Sequence, residues 1–147
     1  MNKRRQLWVK RVLDVVLSLG GLLLLAVPFA FIALAIKLDS RGPVFFRQER
    51  VGKDGRVFRI WKFRTMVVGA VHMGHGYSVI QDDPRITRVG RVLRDCGLDE
   101  LPQLINVLKG EMSLVGPRPT LSYQIEKYTG FQRQRLQMKP GITGWAL

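Results

Sequence analysis

The sequence predicts a helix-rich α/β protein with a small β-hairpin and a membrane-anchoring segment near its N-terminus. Three observations lead to this prediction. An uncharged apolar run covers residues 15–36. Two β-prone stretches, residues 44–46 and 57–63, flank a Gly-Lys-Asp-Gly turn. Two helical patterns of apolar residues follow, over residues 87–94 and 98–108.

The chain combines a strong basic excess with a high apolar content. Of 147 residues, 24 are Lys or Arg and 11 are Asp or Glu, giving a charge of +13, and 46% are hydrophobic. That length suffices for one modest domain with its own core. The charge indicates a polyanionic partner, such as nucleic acid, anionic lipid or a phosphorylated substrate. The single Cys96 excludes an intramolecular disulfide and fits a reducing compartment.

The apolar run at residues 15–36 is long enough to cross a bilayer as a helix. At about 1.5 Å per residue it matches a hydrocarbon core of about 30 Å. Pro28, near its middle, removes a helix hydrogen bond and favours a break. Lys and Arg flank the run on both sides, so a helix that enters, breaks at Pro28 and returns would keep both flanks cytoplasmic. A straight span and a re-entrant hairpin therefore both stay open.

Asp14 lies at the start of the apolar run, where an acidic group needs a partner. Arg11 is one helical turn earlier, and we expect it to pair with Asp14. The expected role of this pair is structural, because it would fix the depth of the helix at the membrane interface.

Residues 43–66 predict the β-hairpin. Alternation gives its second strand two faces, made of Phe58, Ile60 and Lys62 and of Arg59, Trp61 and Phe63. Lys62 and Arg64 are then two basic groups at the strand end. They are either solvated edge-strand charges or ligands of a substrate phosphate. The glycine-rich residues 68–80 that follow have no clear periodicity and predict a loop.

Residues 87–94 predict a basic amphipathic helix that Thr87 caps. Arginines recur every three residues, at Arg85, Arg88, Arg91 and Arg94. Beside a membrane anchor such a stripe most simply lies on anionic lipid, and some of its arginines are candidates for binding a phosphate-bearing substrate. Nucleic acid is not the expected partner, because no nucleic-acid-binding motif accompanies the charge.

The next pattern, residues 98–108, places two adjacent carboxylates, Asp99 and Glu100, at the start of a short helix. Pro102 falls within the first turn, where proline is tolerated, and Gly110 supplies a stop. Asp99 fits an N-cap position, so the pair considered alone is an ordinary cap. In a chain with few acidic groups, the pair is also a candidate for chemistry on a phosphorylated substrate.

Two further segments have rigid-looking backbone. Residues 116–119 (Gly-Pro-Arg-Pro) hold Arg118 between prolines, which suits bidentate binding of phosphate, although a simple turn explains the pattern equally. Residues 141–145 (Gly-Ile-Thr-Gly-Trp) predict another turn, which ends in an aromatic side chain.

Four segments in this order resemble the bacterial sugar transferases, which are monotopic polyprenyl-phosphate phosphoglycosyl transferases. They are residues 62–66 (Lys-Phe-Arg-Thr-Met), 98–108, 109–119 and 139–146. The resemblance covers nearly the whole chain, and the joint pattern is far more specific than any one segment. The family normally continues for several dozen residues beyond the Gly-Ile-Thr-Gly-Trp motif, so we expect the usual C-terminal segment to be lacking.

The resemblance implies two domains. Residues 1–40 would form a membrane-anchoring re-entrant helix that breaks at Pro28. Residues 41–147 would form a short catalytic domain on the cytoplasmic face of the bacterial inner membrane. A homodimer is one arrangement that a catalytic domain this short allows.

The resemblance also implies Mg²⁺ and transfer of a sugar-1-phosphate from a UDP-sugar to polyprenyl phosphate, usually undecaprenyl phosphate. Such a transfer is the first membrane step of glycoconjugate, exopolysaccharide or O-antigen synthesis. Asp99 would be the nucleophile that forms a covalent phosphosugar intermediate and releases UMP, and Glu100 would complete the dyad. Both carboxylates would bind the metal ion.

General chemistry supports assigning the nucleophile role to Asp99. A carboxylate can form an acyl-phosphate, and cations offset the repulsion between the carboxylate and the phosphate that it attacks. We expect Asp99 to stay ionised at the helix start. The candidate ligands of the substrate phosphates are Lys62, Arg64, Arg94 and Arg118. The competing hypothesis is a non-catalytic basic membrane adapter that binds anionic lipid or a partner enzyme.

Overall fold

The computed structural model describes residues 2–74, 76, 78–80 and 82–144, without the side chain of Lys3. Trp145, the end of the predicted C-terminal turn, lies outside these residues. The helices are α1 (Lys3–Leu24), α2 (Ala26–Asp39), α3 (Arg88–Asp95), α4 (Leu104–Lys109), α5 (Ser122–Ile125) and α6 (Gly130–Arg133). The strands are β1 (Phe45–Val51), β2 (Val57–Phe63), β3 (Ser113–Val115) and β4 (Gly141–Thr143). Short 3₁₀ segments lie at Lys53–Gly55, Ala70–His72, Leu98–Gln103 and Gln134–Gln137.

These elements confirm the mixed α/β class and the predicted hairpin. β1 and β2 form one two-stranded sheet, and the short link between them permits only antiparallel pairing. β3 and β4 form a second, parallel sheet in which Ser113 aligns with Gly141. The sequence did not predict β3 and β4, because three residues are too few to show a strand alternation.

The N-terminal apolar run forms two helices. α1 ends at Leu24 and α2 begins at Ala26, with a bend of 60° between them. The predicted break at Pro28 is therefore misplaced, since the interruption lies at Leu25 and Pro28 is the third residue of α2. Proline lacks the N–H that would bond the carbonyl of Leu24, and its ring crowds that carbonyl, so the helix is interrupted upstream. In the first turn of the new helix proline costs little.

This bend bears on the membrane prediction. Across the described residues no single helix is both long and apolar enough to cross a bilayer. By length and composition alone, α1 and α2 taken together as a bent pair are long and apolar enough. The straight span that stayed open from the sequence does not appear as one continuous helix.

The chain divides into two compact units. Unit 1 comprises Met1–Leu25, Arg47–Trp61 and Pro102–Leu147, and unit 2 comprises Ala26–Phe46 and Lys62–Leu101. The two units are defined by packing and not by function. The predicted division into a membrane anchor and a catalytic domain at residue 40 therefore stays a prediction.

Unit 1 has a core of Phe58, Ile60, Val107 and Met112. Polar contacts hold α1 to this unit. The buried Asp14 accepts hydrogen bonds from the Ser113 hydroxyl and the Leu114 N–H, at 2.8 and 3.0 Å, and pairs with Lys10 at 3.5 Å. Arg11, the predicted partner of Asp14, instead donates to two carbonyls at the C-terminal end of α4. The expected pair is wrong because tertiary acceptors compete with the local one.

Unit 2 has a core of Ile36, Phe63 and Leu93. Phe63 is the centre of an aromatic cluster, with Phe29 edge-on at 5.0 Å and Phe45 stacked at 5.4 Å between ring centroids. The alternation predicted for β2 therefore leads to burial on both faces. Phe58 and Ile60 are buried on one face, and Phe63 is buried on the other.

The predicted basic helix is confirmed as α3, and the Thr87 hydroxyl accepts from the Gly90 N–H at 3.0 Å as its cap. Arg85 does not belong to the exposed basic stripe, however. It is buried, bonds the Asp83 carboxylate, and donates to the carbonyls of Ala70, Met73, Gly76 and Ser78. Arg85 thus organises the segment that the sequence predicted only as a loop.

Candidate active site

The two carboxylates lie in the 3₁₀ turn Leu98–Gln103, directly before α4. The predicted single helix over residues 98–108 is thus a 3₁₀ turn followed by an α-helix. Asp99 is the second residue of the turn rather than an N-cap, and Leu98 beside it packs against the core of unit 2. The predicted stop is confirmed, because Gly110 ends α4 with a φ of 83°, which favours glycine.

Lys62, at the end of β2, binds the dyad directly. Its Nζ lies 2.5 Å from Oε1 of Glu100, and the two side chains are only 19% and 28% exposed. Partial burial makes such a charge-assisted contact stronger than an ion pair in bulk solvent. The end of β2 therefore places the positive charge of Lys62 next to the carboxylate of Glu100.

Asp99 has a perturbed acidity. Burial raises the pKa of its carboxyl above the usual value, the positive charges of Lys62 and Arg94 oppose that shift, and the negative charge of Glu100 adds to it. The Asp99 carboxyl is therefore less acidic than a free one, and the expectation that it stays ionised remains a prediction. A carboxyl whose pKa is shifted by burial and by named charges is characteristic of functional sites.

Arg94 is the second cation near Asp99. Its Nε donates to Oγ1 of Thr65 at 2.8 Å, which fixes the guanidinium by one edge. The Thr65 side chain is buried and belongs to the segment directly after β2. No sequence signal indicates this contact, because nothing in the spacing of one threonine shows which arginine it meets.

Arg64 is not placed for the predicted role in phosphate binding. Its side chain is 5% exposed, and its guanidinium donates to the carbonyls of Ile36, Ser40 and Arg41 at the C-terminal end of α2. The carbonyl of Ile36 also accepts from the Ser40 N–H, whereas Ser40 and Arg41 directly follow α2, and a cation at this end is favoured by the helix dipole. Arg64 therefore attaches α2 to the end of β2, and both of its terminal amino groups donate to backbone carbonyls.

The structure thus groups four of the predicted site residues within unit 2, namely Lys62, Arg94, Asp99 and Glu100. Arg64 is in the same unit but serves as an anchor. Arg118 belongs to unit 1, where its side chain is exposed just after β3. Its assignment as a phosphate ligand stays a prediction.

The dyad also bears on the predicted metal ion. Over the residues that the structure describes, no group of three or more His, Cys, Asp or Glu side chains could hold a metal. Mg²⁺, however, is usually held by one or two carboxylates and completed by substrate phosphates and water. Asp99 and Glu100 are two carboxylates of the kind that such a site uses, and the predicted Mg²⁺ stays a prediction.

The chain is similar to known proteins over nearly its whole length. The sequence model of a family described as bacterial sugar transferase matches residues 5–147. A UDP-glucose:undecaprenyl-phosphate glucose-1-phosphate transferase from Escherichia coli is 50% identical over 145 residues, which cover 94% of this chain and 30% of that protein.

Two other relatives are similar. A UDP-N-acetylgalactosamine-undecaprenyl-phosphate N-acetylgalactosaminephosphotransferase from Aeromonas hydrophila is 46% identical, over 95% of this chain and 33% of its own length. An exopolysaccharide production protein, PSS, from Rhizobium leguminosarum bv. phaseoli is 44% identical, over 94% of this chain and 72% of its own length. The chain therefore spans about a third of the first two relatives and more than two thirds of the third.

Proposed function

The chain belongs to the bacterial sugar transferase family, and from this premise we propose that it transfers a sugar-1-phosphate from a UDP-sugar to undecaprenyl phosphate. The observation that supports this most directly is the grouping of Asp99 and Glu100 with Lys62 and Arg94 in unit 2. Two carboxylates with two cations suit group transfer between phosphates. The names of the relatives agree with these substrate classes, and they differ in the sugar, so the proposal is limited to a UDP-sugar.

In the first step, a carboxylate oxygen of Asp99 attacks the phosphorus that bears the sugar. The bond from that phosphorus to the bridging oxygen breaks, and its electron pair leaves with UMP. In the second step, a phosphate oxygen of undecaprenyl phosphate attacks the same phosphorus, and the Asp99 carboxylate leaves. The atoms balance as a UDP-sugar and undecaprenyl phosphate converted to undecaprenyl-diphosphate-sugar and UMP. Two displacements at one phosphorus divide a difficult transfer into two easier ones.

The acidity of Asp99 suits this role. Burial raises its pKa, and a more basic carboxylate is a better nucleophile, provided that it is ionised. Lys62 and Arg94 favour the ionised form and offset the repulsion between the carboxylate and the diphosphate. Glu100, paired with Lys62, keeps that ammonium beside the reacting groups.

Asp99 and Glu100 would hold Mg²⁺ together with the donor phosphates. When bound, the ion would neutralise charge that develops on the phosphate oxygens. Lys62 and Arg94 serve the same electrostatic purpose from fixed positions in the fold.

The proposal includes a membrane location for α1 and α2. Apolar side chains are exposed along α1, such as Trp8, Leu17 and Leu24, and along α2, such as Phe31 and Leu38. Contiguous exposed apolar surface is unfavourable in water and favourable in lipid. A re-entrant anchor with both ends on the cytoplasmic face would hold the dyad where the acceptor phosphate lies, which raises the effective concentration of the acceptor. The acceptor, undecaprenyl phosphate, would then react at the bilayer surface. This arrangement is compatible with a monomer and with a homodimer.

The deciding experiment measures UMP release by the full chain in lipid nanodiscs with Mg²⁺, undecaprenyl phosphate and a panel of UDP-sugars. We expect release with at least one donor, near-complete loss in Asp99→Asn, and little change in Asp95→Asn, which removes an exposed carboxylate at the end of α3. Without acceptor, mass spectrometry should detect a phosphosugar attached at Asp99. Full turnover by Asp99→Asn would refute the nucleophile. Absence of UMP release with every donor, together with liposome binding that weakens in salt, would favour the adapter instead.

A further inference from the structure

Three arginines of unit 2 are fixed in three different ways. Arg85 is buried against the carboxylate of Asp83 and several carbonyls. Arg64 is buried against carbonyls at the end of α2. Arg94 has one hydrogen bond within the described chain, from its Nε to a neutral hydroxyl. Its two terminal amino groups, Nη1 and Nη2, therefore keep their donors and its charge is not cancelled by a bonded carboxylate.

The contact between α3 and Thr65 explains how this hydroxyl reaches Arg94. Gly90 and Arg94 are four residues apart, so they lie on the same face of α3. A Cβ on Gly90 would lie 2.0 Å from the Thr65 carbonyl oxygen, which means that only glycine permits this close approach. The Thr65 carbonyl also accepts from the Thr87 N–H at 3.0 Å, at the start of the same helix. The Thr65 backbone thus contacts α3 at Gly90 and bonds its N-cap, Thr87, and the Thr65 hydroxyl bonds Arg94.

We propose that Thr65 is a positioning residue, which holds the guanidinium of Arg94 by Nε so that Nη1 and Nη2 bind the diphosphate oxygens of the UDP-sugar. This inference rests on the proposed function and adds to it a residue that has no other assigned role. A guanidinium held at its Nε edge presents its other two nitrogens as a planar fork, the geometry that matches two phosphate oxygens. A carboxylate in place of the hydroxyl would hold the arginine equally well but would cancel the charge that the substrate needs.

The test compares Thr65→Val, which removes the hydroxyl and keeps the shape, with Thr65→Ser, which keeps the hydroxyl. Thr120→Val is the matched control, since Thr120 is equally buried and its hydroxyl bonds Tyr128. We expect Thr65→Val to raise KM for the UDP-sugar about tenfold, as for the loss of orientation of one charged hydrogen-bonding group, and Thr65→Ser to stay within about twofold of wild type. In an Arg94→Ala background, Thr65→Val should cause no further loss.

A purely structural role would give a different pattern. It would lower the unfolding temperature of Thr65→Val more than that of Thr120→Val and leave KM unchanged. Equal effects of the Val and Ser substitutions, or a further loss in the Arg94→Ala background, would overturn the inference.

A second measurement separates this inference from the proposed function. If wild type releases no UMP, the proposed function fails, and binding of inorganic pyrophosphate to the full chain in nanodiscs decides. A dissociation constant about tenfold higher in Thr65→Val, and unchanged in Thr65→Ser, supports the positioning role without any turnover. The same dissociation constant in wild type and both variants would reject it.

Discussion

The Nζ atom of Lys62 lies 2.5 Å from Oε1 of Glu100, so the ammonium bonds the second carboxylate of the dyad and acts on the first only through its charge. This arrangement makes the two acidic groups unequal. Glu100 has a bonded cation, whereas the acidity of Asp99 is set by burial against the charges around it. Unequal environments are the usual means by which adjacent carboxylates acquire different roles.

Replacing Lys62 with Met should move the acidic limb of the activity profile to higher pH. Asp99 must be ionised to attack, and the charge of Lys62 lowers its pKa against the raising effect of burial. Without that charge the pKa of Asp99 rises further, so activity is lost earlier as the pH falls. The measurement is kcat/KM for UMP release against pH. Lys109→Met, which removes an exposed lysine paired with Glu111, is the control. An unchanged acidic limb in Lys62→Met would separate Lys62 from the nucleophile.

Replacing Arg64 with Met should destabilise the fold rather than weaken substrate binding. Arg64 is buried and donates to the carbonyls of Ser40 and Arg41 just after α2, and a buried acceptor left without its donor costs about 1–3 kcal/mol. We expect a loss of about 2–4 kcal/mol in the free energy of unfolding. Arg59→Met, which removes an exposed pair with Glu49, should cost less than about 1 kcal/mol. Denaturant titration in detergent measures both. An Arg64→Met variant of normal stability with a raised KM would restore the phosphate-binding role.

Replacing Gly90 with Ala should disturb both stability and activity. The new Cβ would meet the Thr65 carbonyl oxygen at 2.0 Å, and since that atom is backbone, α3 must shift. Overpacking of this kind costs about 1–3 kcal/mol. Gly20→Ala is the matched control, because no atom lies within 4 Å of its Cβ and alanine is favoured over glycine in a helix by about 1 kcal/mol. Comparison of unfolding midpoints and of KM for the UDP-sugar tests both effects, and equal behaviour of the two variants would contradict the close approach.

Membrane topology is tested by single cysteines at positions 3 and 40 in a Cys96→Ser background, since the native cysteine is exposed. A re-entrant α1 and α2 pair predicts that both positions react with a membrane-impermeant maleimide only when the cytoplasmic side is accessible. The physical reason is that lysines and arginines on both flanks disfavour translocation of either end. Labelling from opposite sides would restore a spanning segment.

The sequence predicts those elements whose causes are local. The turn between β1 and β2, the Thr87 cap and the Gly110 stop each depend on a few neighbouring residues, and each is confirmed. The sequence also predicts the dyad and Lys62 as site residues, and the structure places Lys62 against Glu100, while their roles stay predictions.

The errors arise where distant groups decide. Lys62 and Arg64 are basic residues two positions apart in the same segment, and no local signal separates them. Only the location of the last carbonyls of α2 turns Arg64 into an anchor. In the same way Arg85 fits the periodicity of an exposed stripe, yet the Asp83 carboxylate and four loop carbonyls bury it. Thr65 shows no pattern at all, because its partner is on an element that the sequence places only approximately.

Residues 62–65 each have a different task. Lys62 bonds Glu100, Phe63 fills the core of unit 2, Arg64 holds α2, and Thr65 holds Arg94. Four consecutive positions with four separate partners mean that none of the four residues can replace another. A single-residue deletion before Lys62 would shift all four side chains by one position, so the core, the anchor of α2 and both cations near Asp99 would be disturbed together.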